Sequence, residues 1–114
     1  MIEFYGFFED EKSLYFLLEY ASEGCLLSKF KGRNRLEEEE IKPIVKGICE
    51  GMRYVHGMGY VHRDMKPENV VLQFVILFLL QGIPKICDFG WASECDDEMN
   101  LCKSYCGTPL YLSP

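Results

Sequence analysis

Three short segments of this chain carry residues that could together perform phosphoryl transfer. That reaction needs a positioned hydroxyl, cations that shield phosphate charge, and oxygen ligands for the metal ions that bridge the phosphates. The segments supply carboxylates, a lysine and a carboxamide in a fixed order. They are His62-Arg63-Asp64-Met65-Lys66-Pro67-Glu68-Asn69, then Asp88-Phe89-Gly90, then Gly107-Thr108-Pro109-Leu110-Tyr111-Leu112-Ser113-Pro114.

The order of these segments resembles the catalytic loop, the metal-binding Asp and the end of the activation loop of eukaryotic protein kinases. Each triplet alone could arise by chance, but all three in order, with Lys66 and Asn69 at the family's offsets, could not. The chain is similar to serine/threonine protein kinases, and its motifs are closest to the Aurora-like family. The resemblance implies an α+β class: a partial bilobal protein-kinase-like fold.

The resemblance implies a role for each polar residue of the first two segments. Asp64 would accept or orient the proton of the substrate hydroxyl, and Lys66 would neutralise the transferred phosphate. Asn69 would bind one Mg²⁺ and orient Asp64. Asp88 would hold Mg²⁺ against the nucleotide phosphates. The expected cofactors are therefore ATP and Mg²⁺.

The segment Leu17-Leu18-Glu19-Tyr20-Ala21 resembles the hinge between the two lobes of a kinase. Backbone groups of Glu19, Tyr20 and Ala21 would then pair with the adenine edge, and Leu18 would be the gatekeeper. Val71, two residues after Asn69, would form the floor under the adenine. These residues are the predicted nucleotide-binding set.

Residues 88–114 resemble an activation segment, whose alternative interpretation is simply a polar mobile loop. Lys66 and Thr108 are the residues that serine/threonine kinases carry at these two places, where tyrosine kinases differ. Ser104 would be the phosphorylated residue, and its phosphate would pair with Arg63 and order the segment. Phe89 would pack between the lobes and differ in position between the active and inactive states.

The elements expected around these motifs follow from the apolar pattern. Residues 1–20 alternate aromatic and aliphatic groups around Asp10-Glu11-Lys12, which predicts two antiparallel strands and a polar turn. A short helix is expected over residues 24–30, and Glu37 to Glu40 open a longer one. Its apolar positions recur at helical spacing and predict one core-facing stripe. They are Ile41, Ile44, Val45, Ile48, Met52 and Val55.

The family resemblance divides the chain into the last small-lobe strands and hinge, residues 1–21, and the first half of the helical large lobe, residues 22–114. Strands are expected at Val70 to Leu72 and at Pro84 to Cys87. Between them, the apolar run over residues 73–81 is unlike a hairpin turn. It suggests an insertion, such as a mistranslated or unspliced stretch; the alternative is a membrane-binding or partner-binding loop. It is too short to span a bilayer.

Composition limits the classes of partner and compartment. The net charge is −6, and an acidic chain is a poor ligand for nucleic acid but suits basic protein substrates. Six cysteines occur without a Cys-x-x-Cys pair, so a zinc site is not expected. With no signal peptide recognised, we expect free thiols and a cytoplasmic or nuclear location. Separately, the kinase resemblance implies regulatory protein partners.

Two family features cannot be placed in these residues: a Gly-x-Gly-x-x-Gly loop and the Val-Ala-Ile-Lys lysine with its Glu partner. We therefore expect this chain, as a fragment of 114 residues, to have no useful activity on its own. Three alternatives stay open. They are a pseudokinase or regulatory fragment that binds without turnover, a small-molecule phosphotransferase of similar fold, and a non-functional gene-model fragment.

Overall fold

The structure, a computed structural model, describes residues 1–33, 35–74, 82–95 and 105–112. Its first element is the predicted hairpin, in which β1 (Phe4–Glu9) pairs antiparallel with β2 (Leu14–Leu18). Asp10 shapes the turn, since its Oδ1 accepts hydrogen bonds from the backbone N–H groups of Lys12 and Ser13, both at 2.8 Å. Aspartate is common in turns because it bonds to the backbone just ahead of it. The predicted hairpin is confirmed.

Apolar side chains are exposed on both faces of this hairpin. Neighbouring residues of a strand point to opposite faces, so a run of exposed apolar residues along both strands means that the described part of the chain covers neither face. The aromatic rings contact one another, with Phe8 and Tyr15 stacked at a centroid distance of 4.7 Å. The exposed set is Phe4, Tyr5, Phe7, Phe8, Leu14, Tyr15, Phe16, Leu17 and Leu18.

Two helices follow, α1 (Leu26–Phe30) and α2 (Glu38–Gly57). A reciprocal cap begins α2, because the Glu37 side chain accepts from the backbone of Glu40 while the Glu40 side chain accepts from the backbone of Glu37. The predicted stripe is confirmed at Ile44 and Val55, which are buried. It is wrong at Val45, which is 48% exposed, since it lies about 100° round the helix from Ile44.

Short antiparallel strand pairs hold the motif segments. β3 (Tyr60–Val61) pairs with β6 (Ser93–Glu94), and β4 (Val70–Gln73) pairs with β5 (Ile83–Ile86). Both predicted strands exist, with β5 beginning one residue earlier than expected. Gln73, placed in the suspected insertion, is the last residue of β4 and pairs with Ile83. Residues 75–81 of that insertion lie outside the described residues.

The core lies between α1, α2 and β4. Leu26, Ile44, Val70 and Leu72 form one buried cluster, and Ile48 and Met65 pack against it. Residues 23–25 run along β4, because Leu72 N–H donates to the Gly24 carbonyl at 2.8 Å and Glu23 N–H donates to the Leu72 carbonyl at 3.0 Å. The core therefore anchors β4, which follows Asn69 directly.

Helix α2 approaches β5 closely at a glycine. A Cβ added to Gly47 would lie 2.5 Å from the Pro84 ring, a distance that side chains do not tolerate. We expect Gly47→Ala to lower stability by about 1–3 kcal/mol, because overpacking outweighs the helix propensity that alanine gains. Gly57→Ala is the matched control: nothing lies within 4 Å of its added Cβ. Thermal unfolding should show the control at or above the parent, and equal behaviour of the two variants would contradict the packing.

Two further features bear on the predictions from composition. Cys25, Cys49, Cys87 and Cys106 are free thiols, and Cys102 lies outside the described residues. Among the helices described, none combines the length and apolar character that a membrane span requires.

Candidate active site

The segment that connects β3 to β4 contains three of the predicted catalytic residues, Asp64, Lys66 and Asn69. It leaves β3 at Val61, passes through Arg63 with a left-handed backbone (φ 66°), and ends in a 3-10 turn, Pro67–Asn69. Asp88, after β5, has the same unusual conformation (φ 60°). Non-glycine residues seldom adopt this conformation, and it concentrates at functional sites. Both predicted functional loops therefore contain a non-glycine residue with a left-handed backbone conformation.

Four hydrogen bonds hold the carboxylate of Asp64, which is only 5% exposed. Oδ1 accepts from Thr108 twice, from the backbone N–H at 2.9 Å and from Oγ1 at 2.7 Å. Oδ2 accepts from Lys66 Nζ at 2.7 Å and from Asn69 Nδ2 at 3.2 Å. The structure thus brings together residues that the sequence separates by up to 44 positions.

These contacts fix the charges of the site. The hydrogen bond from Lys66, followed by that from the Thr108 side chain, lowers the pKa of Asp64 from 3.8 to about 2. The same pairing raises the pKa of Lys66. The pKa of Asp64 is lower in the folded protein than its ordinary value of 3.8. The ionised carboxylate therefore contributes fully to stability at pH values above 3.8, and this contribution is lost as the pH falls towards 2. At neutral pH the site holds a carboxylate and an ammonium in contact.

Lys66 and Thr108 also contact each other, with Nζ 2.8 Å from Oγ1. Asn69 makes a second bond, from Nδ2 to the backbone carbonyl of Asp64 at 2.9 Å. Three side chains thus fix one carboxylate from three directions. A carboxylate held in this way can orient a hydroxyl, and the adjacent ammonium can receive negative charge.

Asp88 and Asn69 are candidates for a metal site. Cys87 N–H donates to the Asn69 carbonyl at 3.0 Å, so the residue before Asp88 is held against Asn69. The Asn69 amide nitrogen donates to Asp64, which leaves the amide oxygen as the end that would meet a cation. A carboxylate and an amide oxygen are hard ligands of the kind that Mg²⁺ prefers. The donor set therefore fits Mg²⁺.

His62 contacts both the loop that holds Asp64 and the segment before Asp88. Its Nδ1 accepts from the Asp64 N–H at 3.3 Å, and its Nε2 lies 2.9 Å from the Cys87 carbonyl. A carbonyl only accepts, so Nε2 is the donor in this contact. The ring also meets Phe89 edge-on at 4.6 Å. The sequence analysis assigns no role to His62, although His62 is the first residue of the motif that contains Asp64.

The predicted regulatory residues are only partly described. Arg63 Nε donates to the Trp91 carbonyl at 2.6 Å. Gly107 passes close to the backbone of Arg63, since a Cβ added at Gly107 would lie 2.7 Å from the Arg63 carbonyl oxygen. This approach explains why glycine precedes Thr108 (φ 114° at Gly107). Ser104 lies outside the described residues.

A cleft of about 380 Å³ lies beside these loops, between the hairpin and the β4–β5 pair. It is apolar for the most part, as expected of a site that takes a flat aromatic base. Every residue predicted for adenine binding lines it, together with three that sequence reasoning missed. The lining residues are Leu18, Glu19, Tyr20, Ala21, Val71, Ile2, Phe16 and Cys87.

Comparison with known proteins gives consistent matches. The family described as protein kinase domain matches residues 1–114. The probable serine/threonine-protein kinase fhkC of Dictyostelium discoideum is 41% identical over 107 residues, 94% of this chain and 17% of that protein. The Aurora kinase of Eremothecium gossypii is 35% identical over 114 residues, all of this chain and 29% of that protein. Mouse Aurora kinase B is 33% identical over 114 residues, again all of this chain and 31% of that protein.

Proposed function

The chain belongs to the protein kinase domain family, and from that premise we propose that the protein catalyses ATP-dependent phosphorylation of serine and threonine residues in proteins. The family match confirms the resemblance read from the three motifs and the α+β class of a partial protein kinase domain. The observation that carries the proposal is the Asp64 carboxylate held by Lys66, Asn69 and Thr108.

Asp64 is the proposed acceptor of the substrate hydroxyl. A carboxylate has about four lone-pair positions, and protein donors use all of them in this structure. An incoming hydroxyl must therefore replace one donor. Lys66 is suited to leave, because its flexible ammonium would turn towards the negative phosphoryl group and stay paired there. The hydroxyl would then bond to Oδ2.

Asn69 and Asp88 would hold Mg²⁺ through their side-chain oxygens. Bound there, the ion would shield phosphate charge and align the nucleotide. Asn69 has a second role that needs no metal, since its amide nitrogen keeps Asp64 in place. Leu18 to Ala21 and Val71 would take the adenine in the adjoining cleft.

Substrate class follows from two observations. Thr108 contacts both Asp64 and Lys66, an arrangement that the resemblance associates with serine and threonine acceptors. The net charge of −6 favours acceptors in basic surroundings. Phosphorylation of Ser104, with pairing to Arg63, is the proposed switch.

The test is a phosphoryl-transfer assay on the longest natural protein that contains these residues. Mg-ATP labelled at the γ-phosphate is supplied with peptides that differ only in their acceptor: serine, threonine or tyrosine. We expect label on serine and threonine peptides, more when Arg and Lys flank the acceptor. Nucleotide binding without label would favour the regulatory-fragment alternative, and label on a small molecule alone would favour the phosphotransferase alternative.

A further inference from the structure

Lys85 and Glu19 form a partly buried ion pair outside the network around Asp64. The Lys85 ammonium lies 2.6 Å from Oε1 and 2.8 Å from Oε2 of Glu19. Their side chains are only 22% and 11% exposed. Ion pairs with this burial are screened less than surface pairs, and removing one partner leaves the other charge poorly solvated. Salt therefore weakens this contact less than it weakens an ordinary surface salt bridge.

Glu19 joins several segments at this point. Its Oε2 accepts from the Glu3 N–H at 3.2 Å, while its own N–H donates to the Glu3 carbonyl at 2.8 Å. The pKa of this carboxylate is lowered chiefly by the bond from Lys85. The residue before β1, the segment after β2 and the middle of β5 thus meet at one side chain.

The ion pair also lies next to the cleft proposed for the nucleotide, since one partner lines it and the other neighbours a lining residue. Val71, the predicted floor, is the cross-strand partner of Lys85 in the β4–β5 pair. Glu19, part of the predicted adenine edge, lines the same cleft. Lys85 therefore connects the floor to the edge through one contact. A backbone bond from Ile2 N–H to the Ile86 carbonyl, at 2.9 Å, supports the same junction.

We propose that Lys85 is a positioning residue for the nucleotide: paired with Glu19, it holds the adenine edge at a fixed place over Val71 before nucleotide binds. The idea rests on the function proposed above. A preformed site loses less conformational freedom on binding, which raises affinity. The pair involves neither Asp64 nor Lys66, so its effect falls on binding and not on the transfer step.

The experiment replaces Lys85 in the longest natural protein that contains this chain. For Lys85→Met we expect the KM and the dissociation constant of Mg-ATP to rise about tenfold, equivalent to about 1.4 kcal/mol, with kcat within about twofold. Lys85→Arg keeps the charge and should stay within about twofold of the parent in both constants. Calorimetry gives the dissociation constant without any turnover.

Lys46→Met is the matched control. Lys46 pairs with Glu50 at 4.0 Å, and both side chains are exposed, at 78% and 61%, so its loss should leave nucleotide affinity unchanged. Glu19→Gln, alone and combined with Lys85→Met, completes a double-mutant cycle. In the combined variant the two losses should not add, since either change alone breaks the same pair.

The outcomes separate this inference from the proposed function. Unchanged or tighter nucleotide binding by Lys85→Met would overturn the positioning role, as would additive losses in the cycle. A fall in kcat with unchanged KM would also overturn it. If the parent binds Mg-ATP with the expected coupling but transfers no phosphate, the proposed activity fails and the positioning role stands. A parent that binds no nucleotide refutes both.

Discussion

Replacing Asp64 with asparagine is expected to lower turnover by about 10²–10⁴-fold while Mg-ATP affinity changes by no more than about twofold. Asparagine keeps the size of the side chain but loses the negative charge and turns one oxygen into a donor. That donor would face Thr108 or Lys66, both of which donate to Asp64 in the structure. The loss should fall on the transition state, because the carboxylate is proposed to contact the attacking hydroxyl and no metal.

The measurement pairs steady-state turnover with calorimetric binding of Mg-ATP. Asp10→Asn is the control, since Asp10 serves the hairpin turn as an acceptor and an amide oxygen can accept the same bonds. Its turnover and affinity should match the parent. An Asp64→Asn variant that loses nucleotide affinity as strongly as turnover would remove Asp64 from the role assigned to it.

Asp88→Asn should damage both quantities. We expect Mg-ATP affinity to fall by at least about tenfold and turnover to fall further, because the carboxylate is the proposed ligand of the metal that bridges the phosphates. Asparagine is the right substitution, since it tolerates the left-handed backbone of Asp88 (φ 60°) better than most residues. A loss would then report ligand chemistry and not backbone strain.

Two titrations identify the cause of that loss. Raising the Mg²⁺ concentration should recover part of the turnover of Asp88→Asn, because mass action compensates for a weakened metal site. Binding of ADP without Mg²⁺ should be similar in parent and variant. Weakened binding of metal-free ADP would place the defect in the nucleotide cleft and would contradict the metal role.

The sequence predicts which polar residues gather at the candidate site better than it predicts long-range packing. The resemblance of the motifs to protein kinases points to Asp64, Lys66, Asn69 and Thr108, and the structure brings all four together. The hairpin and helix α2 followed from apolar spacing, which reports local periodicity. Motifs and periodicity are both properties that a short stretch of chain carries by itself.

What sequence reasoning missed depends on residues far apart in the chain. Lys85 and Glu19 are separated by 66 positions, and no local pattern predicts that they pair. The same holds for Gly47, whose close neighbour Pro84 lies on another element. Val45 fitted the apolar period of α2, but its exposure is set by where the neighbouring elements pack. Long-range packing overrides local pattern at these places.

The aromatic hairpin has a consequence for the life of this polypeptide in a cell. A β-hairpin whose apolar faces are both exposed among the described residues offers strand edges and rings to other polypeptides. Chaperones and proteases recognise such surfaces, so a polypeptide made of these residues alone would be sorted by quality control before it met a substrate. The abundance of the polypeptide would then depend on how quickly a binding partner or further chain covers the hairpin. Its half-life in the cell would report that burial more directly than a kinase assay would.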